Sequence, residues 1–131
     1  DSITEFNGTI DKFIGDSIMA YWNAPLEVKN HADLAVQSAL RQLEQLDTLN
    51  STLEKEFNIT LQIGIGINSG EAIVGEMGSA GRSDYTIIGD TVNLASRVES
   101  LTKEYQCALI ITEQTKKLLT EKYNIMKLDT L

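Results

Sequence analysis

The fold is decided first by a short stretch near the start of the chain, TIDKFIGDSIMAYW, which runs from Thr9 to Trp22. Both halves are rich in apolar, aromatic and β-branched residues, and Gly15-Asp16 separates them with a turn. The pattern predicts a β-hairpin made of strands 9–14 and 17–22. Asp16 then lies at or beside the hairpin tip, where a carboxylate is exposed.

Downstream of the hairpin, the spacing of apolar residues changes twice. From Ala32 to Leu53 they recur at helical spacing, which predicts one long amphipathic helix. From Leu61 to Ile67 every second residue is apolar, and Gly64 and Gly66 lie on the other face, which predicts a strand packed closely on its glycine side. After a turn, residues 71–74 are predicted to return as the hairpin partner of that strand.

The remaining segments complete a mixed fold. A helix tail is predicted before Asn7-Gly8, and a loop with a short apolar insert at Tyr85–Ile88 precedes a helix that begins near Asp90 or Thr91. A strand over 108–112 and a short helix over 113–123 follow. The predicted class is therefore α/β (α+β), with the element order ββαββαβα.

Composition and charge limit the classes of protein to which the chain can belong. The chain has 131 residues, 42% hydrophobic and 23% charged, which predicts one folded domain over residues 1–131. With 19 acidic and 11 basic residues the net charge is −8, which disfavours a nucleic-acid partner. The sequence shows neither the apolar run of a membrane span nor a signal-peptide pattern, so a soluble, cytoplasmic domain is predicted. Cys107 is the single cysteine, so oxygen ligands are expected for any metal.

Two simpler motif interpretations are disfavoured. Gly15-Asp16-Ser17 is similar to the nucleophile motif of a lipase and esterase family, but that chemistry needs a histidine base. The only histidine is His31, at the predicted start of a helix. The glycines at 64–66 and 75–82 lack the further residues of a dinucleotide fingerprint or a P-loop, so tight turns and close packing explain them better.

Four segments taken together give a more specific prediction: DKFIGDSIMA (residues 11–20), GIGINSG (64–70), VGEMGS (74–79) and DYTIIGDTVNLASR (84–97). Their order and spacing resemble the catalytic domain of the class III nucleotidyl cyclases, over nearly the whole chain. The resemblance implies a ferredoxin-like nucleotide cyclase fold and a homodimer that binds ATP between its subunits. It also implies conversion of ATP to 3′,5′-cyclic AMP and pyrophosphate, in intracellular signal transduction.

The same resemblance assigns roles to five residues. Asp16 matches the second of two aspartates that hold two Mg²⁺ or Mn²⁺ ions in such enzymes, and a hard cation favours a carboxylate ligand. Lys12 and Thr86 match the pair that recognises adenine, where guanylate cyclases usually carry Glu and Cys. Asn93 and Arg97 match the pair that orients the ribose and stabilises charge on the transferred phosphorus. Because Asn93 and Arg97 are four residues apart on a predicted helix, they share one face.

The chain also departs from the family pattern. It has no match to the family's first strand and helix, which carry the other metal-binding aspartate, and none to a later lysine that contacts the triphosphate. We therefore expect a domain truncated at both ends, inactive by itself, with an altered association such as a swapped or edge-paired dimer. A non-catalytic cyclase-homology module for dimerisation or nucleotide sensing, or a guanylate cyclase, are the alternatives. Whether the parent protein carries a sensor or a membrane region is left open.

Overall fold

The computed structural model describes residues 2–14, 17–24, 26–77, 84–123 and 125. This part of the chain contains four helices and six strands, which confirms a mixed α/β fold. In chain order they are α1 (Ser2–Glu5), β1 (Thr9–Ile14), β2 (Ser17–Tyr21), α2 (His31–Phe57), β3 (Ile65–Ile67), β4 (Ile73–Met77), β5 (Asp84–Ile88), α3 (Asp90–Glu104), β6 (Leu109–Ile111) and α4 (Glu113–Leu118).

Strand pairing differs from the prediction in one respect. Within the described residues the strands form three pairs, β1 with β2, β3 with β6, and β4 with β5. The predicted hairpin between β3 and residues 71–74 is wrong, because β3 pairs in parallel with β6 and β4 pairs antiparallel with β5. The apolar insert at Tyr85–Ile88 is the core of strand β5. The observed order is thus αββαβββαβα, in which α1 corresponds to the helix tail predicted before Asn7-Gly8 and β5 is an additional strand.

The predicted β1–β2 hairpin is confirmed, and it contains an irregularity. Ile10 lies opposite Ala20 and Lys12 lies opposite Met19, so Asp11 is an extra residue in β1. This is a β-bulge, which changes the direction of the side chains that follow it. Cross-strand partners share a face and consecutive residues do not. Lys12 therefore lies on the opposite face from Ile10, whereas a regular strand would place both on one face.

Helix α3 packs directly on β3, and two glycines allow the close approach. A Cβ atom on Gly66 would lie 2.8 Å from Cα of Glu99 and 2.9 Å from the carbonyl oxygen of Ala95, and would clash with the Glu99 nitrogen. A Cβ on Gly64 would similarly overlap the side chain of Thr102. The predicted close packing on the glycine side of the strand is confirmed. It fixes which face of α3 is buried.

The base of the β1–β2 hairpin is attached to α1 and to the chain that follows β2. The indole N–H of Trp22 donates to the carbonyl oxygen of Phe6 (2.9 Å), and the hydroxyl of Thr9 donates to the carbonyl of Ala24 (3.1 Å). A Cβ on Gly8 would lie 2.6 Å from two ring carbons of Trp22. The hairpin is therefore held at its base, while its far half, with Phe13, is exposed.

The predicted extent of the last helix is wrong at its C-terminal end. Helix α4 ends at Leu118, although the apolar pattern predicts helix as far as Tyr123. The backbone N–H groups of Thr120 and Glu121 donate to the carboxylate of Asp33 in α2, at 3.0 Å and 3.3 Å for their closest oxygens. The hydroxyls of Thr120 and Tyr123 donate to it as well, at 2.7 Å and 3.2 Å. This contact with α2 draws the chain away from a helical path.

Replacing Asp33 with asparagine is expected to lower the free energy of unfolding at pH 7 by about 2 kcal/mol, since charge-assisted hydrogen bonds are lost. Asp33 is 1% exposed. Burial alone would raise its pKa, but the hydrogen bonds from Thr120, Glu121 and Tyr123 outweigh burial and lower the pKa below the ordinary value of 3.8. The folded state thus binds fewer protons, so this stabilisation is complete above the unfolded pKa and is lost as pH falls through the folded pKa.

Urea unfolding at several pH values between 7 and 2 tests this expectation. The difference between wild type and Asp33→Asn should shrink as the pH falls below about 4, because there the carboxyl of the unfolded chain binds a proton while that of the folded state still does not. Asp47→Asn, an exposed change on the same helix, is the control and should alter stability by less than about 0.5 kcal/mol. A difference that stays constant down to pH 2 would contradict this account of Asp33.

Candidate active site

The start of helix α3 is fixed by backbone geometry and by polar side chains. Gly89 precedes the helix with φ of 137°, a conformation that favours glycine. The side-chain amide of Asn68 donates to the carbonyl oxygen of Thr91 (3.0 Å), and the hydroxyl of Thr112 donates to Oδ1 of Asn68 (2.7 Å). The hydroxyl of Thr91 donates to the carbonyl oxygen of Glu71. The loops after β3 and β6 therefore both hold the first turn of α3.

The polar cluster of Asn68, Thr91 and Thr112 was not predicted from the sequence. Asn68 belongs to the segment Asn68-Ser69-Gly70, which sequence alone identifies only as a turn. A second hydroxyl pair lies beside the cluster, between Ser69 and the fully buried Thr115 at 2.8 Å. The threonine at the N-cap of α4 is a recognisable signal in the sequence, but its bond to Asn68 depends on a contact across the fold.

Asn93 and Arg97 lie on the exposed side of α3, as predicted. Val98, one residue further along, is 1% exposed and lies on the buried face of α3. Neither Asn93 nor Arg97 has a side-chain hydrogen bond or ion pair within the described ranges. An exposed guanidinium and an exposed amide, one helical turn apart, are free to bind a polar ligand such as a phosphate or a ribose hydroxyl.

A hydrogen bond joins the segments that carry Lys12 and Thr86. Lys12 is exposed in β1, and Thr86 lies in β5 opposite Gly75. The backbone N–H of Ile87 donates to Oδ2 of Asp11 (3.2 Å), which joins β1 to β5 next to both residues. Thr86 is also four residues before the start of α3, so one continuous segment carries Thr86, Asn93 and Arg97. The structure thus places four of the five predicted site residues on β1, β5 and α3.

The predicted metal ligand, Asp16, lies outside the described residues. The strands on either side of it are paired, with Ile14 opposite Ser17. Within the part of the chain that the structure describes, no group of three or more His, Cys, Asp or Glu side chains could hold a metal ion. The donor chemistry of Asp16, a carboxylate, fits a hard divalent cation.

In the part of the chain that the structure describes, an open groove borders β5 but does not include Lys12, Asn93 or Arg97. This groove, of about 520 Å³, lies between the end of β2 and the β4–β5 pair, where Trp22 and Ile87–Gly89 form parts of its wall. Lys12, Asn93 and Arg97 are not among its lining residues. These three side chains are exposed, and a nucleotide bound to them would need further walls to exclude water.

Comparison with known protein families identifies this arrangement. The family described as adenylate and guanylate cyclase catalytic domain matches residues 3–131. The chain belongs to this cyclase family. The resemblance inferred from the four sequence segments is confirmed, and the segments around Lys12, Asn93 and Arg97 all lie within the match.

Curated cyclases are similar to the chain over most of its length. The terminal-differentiation specific adenylate cyclase of Dictyostelium discoideum is 43% identical over 114 residues, which cover 87% of this chain and 5% of that protein. The adenylate cyclase of Anabaena cylindrica is 37% identical over 134 residues, which cover 98% of this chain and 26% of that protein. The chain therefore spans about a quarter or less of the length of these relatives.

Among solved structures, the guanylyl cyclase Cya2 has the same fold. It superposes on this cyclase domain with a TM-score of 0.84 at 33% identity, over 95% of this chain and 62% of that one. The match confirms the predicted cyclase fold. Adenylate and guanylate cyclases thus both occur among the similar proteins, and the choice of nucleotide has to be argued from the residues of this domain.

Within the described ranges, no helix of this cyclase domain combines the length and the apolar character needed to cross a bilayer. The longest, α2, has 27 residues and carries charged side chains throughout, including the ion pair between Arg41 and Glu44 at 3.3 Å.

Proposed function

We propose that the domain is the catalytic domain of an adenylate cyclase, which converts ATP to 3′,5′-cyclic AMP and pyrophosphate. The observation that carries the proposal is the junction between β1 and β5, where the bond from Ile87 to Asp11 brings Lys12 and Thr86 onto neighbouring segments. Both curated relatives described above are named adenylate cyclases. The product makes intracellular signalling the proposed context, and the proposed use of ATP makes the cytoplasm the proposed location.

Recognition of adenine is proposed for Lys12 and Thr86. The lysine ammonium can donate to a ring nitrogen of adenine, and the threonine hydroxyl can accept from the 6-amino group. Guanine instead presents a carbonyl oxygen at position 6 and a protonated ring nitrogen beside it. The same lysine and threonine pair therefore favours ATP over GTP.

Ribose and phosphate contacts are proposed for the exposed face of α3. In cyclisation the 3′-oxygen of the ribose forms a bond to the α-phosphorus, the bond from that phosphorus to the pyrophosphate oxygen breaks, and the hydroxyl proton is released to solvent. Negative charge builds up on the phosphoryl oxygens in the transition state. The guanidinium of Arg97 can donate to those oxygens, and the amide of Asn93 can hold the ribose.

Metal binding is proposed for Asp16, with Mg²⁺ or Mn²⁺ as the ion and two ions in the complete site. Such ions neutralise phosphate charge and favour ionisation of the attacking hydroxyl when they are bound. This domain offers one carboxylate that matches the family's metal ligands. We therefore expect the 131-residue chain to have little activity by itself.

A homodimer is proposed to supply the missing walls of the nucleotide site. The exposed half of the β1–β2 hairpin carries Phe13 and Ile18, which lie opposite each other and are 69% and 52% exposed. Burying such side chains would stabilise an association by the hydrophobic effect. Specific activity should then rise with protein concentration.

The proposed base recognition is tested by exchanging the adenine pair for the residues usual in guanylate cyclases. Lys12→Glu combined with Thr86→Cys should reduce the ratio of kcat/KM for ATP to kcat/KM for GTP at least about 100-fold, because unpaired polar groups at a base edge are strongly penalised. Formation of cyclic AMP from ATP and of cyclic GMP from GTP is measured with Mn²⁺. The full-length protein and the 131-residue chain are assayed side by side.

A charge-matched control separates base recognition from general electrostatics. Lys55→Glu reverses an exposed lysine on α2 and should leave the nucleotide ratio unchanged. If the wild-type full-length protein forms no cyclic nucleotide from ATP at any protein concentration, the proposed function is wrong. If it forms cyclic GMP from GTP in preference, the cyclase assignment stands and the proposed role of Lys12 and Thr86 fails.

A further inference from the structure

Asp11 occupies an unusual position in β1. It is the extra residue of the β-bulge between Ile10 and Lys12. A bulge locally disrupts regular strand pairing, and bulges are common where the direction of a side chain has to change. Here the redirected side chain is that of Lys12, which immediately follows the bulge.

The carboxylate of Asp11 also reaches a second strand. In the described part of the chain, β1 and β5 do not share a backbone ladder. The hydrogen bond from the Ile87 N–H to Oδ2 of Asp11, at 3.2 Å and partly buried, links them instead. Ile87 directly follows Thr86, so the bond lies one residue from Lys12 on one strand and one residue from Thr86 on the other.

We propose that Asp11 is a positioning residue for nucleobase selection, which sets the relative placement of Lys12 and Thr86 through the bulge and through its bond to Ile87. The inference rests on the proposed function, because it deepens the account of how that site chooses its base. Asp11 itself does not touch the nucleotide. Substitution of Asp11 should therefore change the preference for ATP over GTP, and should not weaken the binding of both nucleotides by the same factor.

The substitution Asp11→Ala removes the acceptor, whereas Asp11→Asn keeps a side-chain oxygen that can still accept from Ile87. Dissociation constants for non-hydrolysable ATP and GTP analogues are measured on the full-length protein, together with kcat and KM for both nucleotides. Asp11→Ala should reduce the preference for the ATP analogue about tenfold. Asp11→Asn should recover most of that preference, and Asp47→Ala on α2 should not change it.

Two further measurements separate positioning from a general loss of structure. Amide exchange at Ile87 should be faster in Asp11→Ala than in the wild type, since the N–H loses its acceptor. In a Lys12→Ala background, Asp11→Ala should produce little additional loss of the preference, because residues that act through one another are not additive.

The outcomes distinguish the two proposals. Equal loss of affinity for both nucleotides, or additive effects of Asp11→Ala and Lys12→Ala, would overturn the role of Asp11. A wild-type protein that prefers the ATP analogue but forms no cyclic product would overturn the proposed function alone, and the binding preference would still decide the role of Asp11. A protein that binds neither analogue would overturn both.

Discussion

Replacing Arg97 with alanine is expected to lower kcat for cyclic AMP formation about 10²- to 10³-fold, the range typical for loss of one donor that stabilises transition-state charge. Arg97 is exposed on α3 and has no side-chain partner among the described residues, so its removal breaks no hydrogen bond or ion pair there. The free energy of unfolding should change by less than about 0.5 kcal/mol. Steady-state kinetics and urea unfolding on the same samples give both quantities.

Two variants complete this test. Arg97→Lys keeps the charge but loses the planar fork of donors, so it should restore activity only in part. Arg41→Ala removes an exposed arginine whose ion pair with Glu44 is 3.3 Å long, and exposed pairs of this kind contribute little. It should retain wild-type activity. If Arg97→Ala keeps full activity, the proposed role of the α3 face in phosphate stabilisation is wrong.

Replacing Gly66 with alanine should affect both stability and activity. The added Cβ would lie 2.8 Å from Cα of Glu99 and 2.9 Å from the Ala95 carbonyl oxygen. These are backbone atoms of α3, so the whole helix has to shift. Overpacking of this kind costs about 1–3 kcal/mol. Because α3 carries Asn93 and Arg97, a displacement of about 1 Å should also lower activity about 100-fold.

Gly75→Ala is the matched control for the effect on stability. Among the described residues, no atom lies within 4 Å of a Cβ built on Gly75, so an alanine there has room. Urea unfolding of the two variants compares the same chemical change in a packed and an open position. Equal stability of Gly66→Ala and Gly75→Ala would contradict the close packing of α3 on β3.

Local features of the fold could be predicted from the sequence. The β1–β2 hairpin follows from two apolar runs around a glycine turn, and α2 follows from its helical spacing. The glycine face of β3 also predicted the close approach of another element, although not which one. These signals lie within a few residues of each other, where periodicity and turn chemistry operate.

Long-range features could not be predicted in the same way. An alternating pattern shows that β3 is a strand but not that its partner is β6, which lies beyond α3. The end of α4 at Leu118 depends on Asp33, 87 residues away from Thr120 in sequence. No local pattern predicts that contact, because the sequence shows Asp33 only as an aspartate within a helix and does not show its distant hydrogen-bond donors.

The candidate site was found by resemblance more than by periodicity. Helical spacing alone predicted that Asn93 and Arg97 share an exposed face, and the structure confirms this exposure. The roles of these residues, and of Lys12, Asp16 and Thr86, remain predictions. The role proposed for Asp11 was not predicted from the sequence, because an extra residue in one strand can be recognised only when the pairing register of both strands is known.

The direct contact between α3 and β3 has a consequence for how this domain could evolve. The helix that carries Asn93 and Arg97 rests on Gly64 and Gly66, whereas Lys12 and Thr86 belong to the separate strands β1 and β5. With the roles proposed for Lys12 and Thr86, substitutions in those strands would change the preferred base without moving the helix. Selection could therefore convert an ATP-specific ancestor into a GTP-specific descendant by a few strand substitutions, while any change at the two glycines would be purged whichever nucleotide is used.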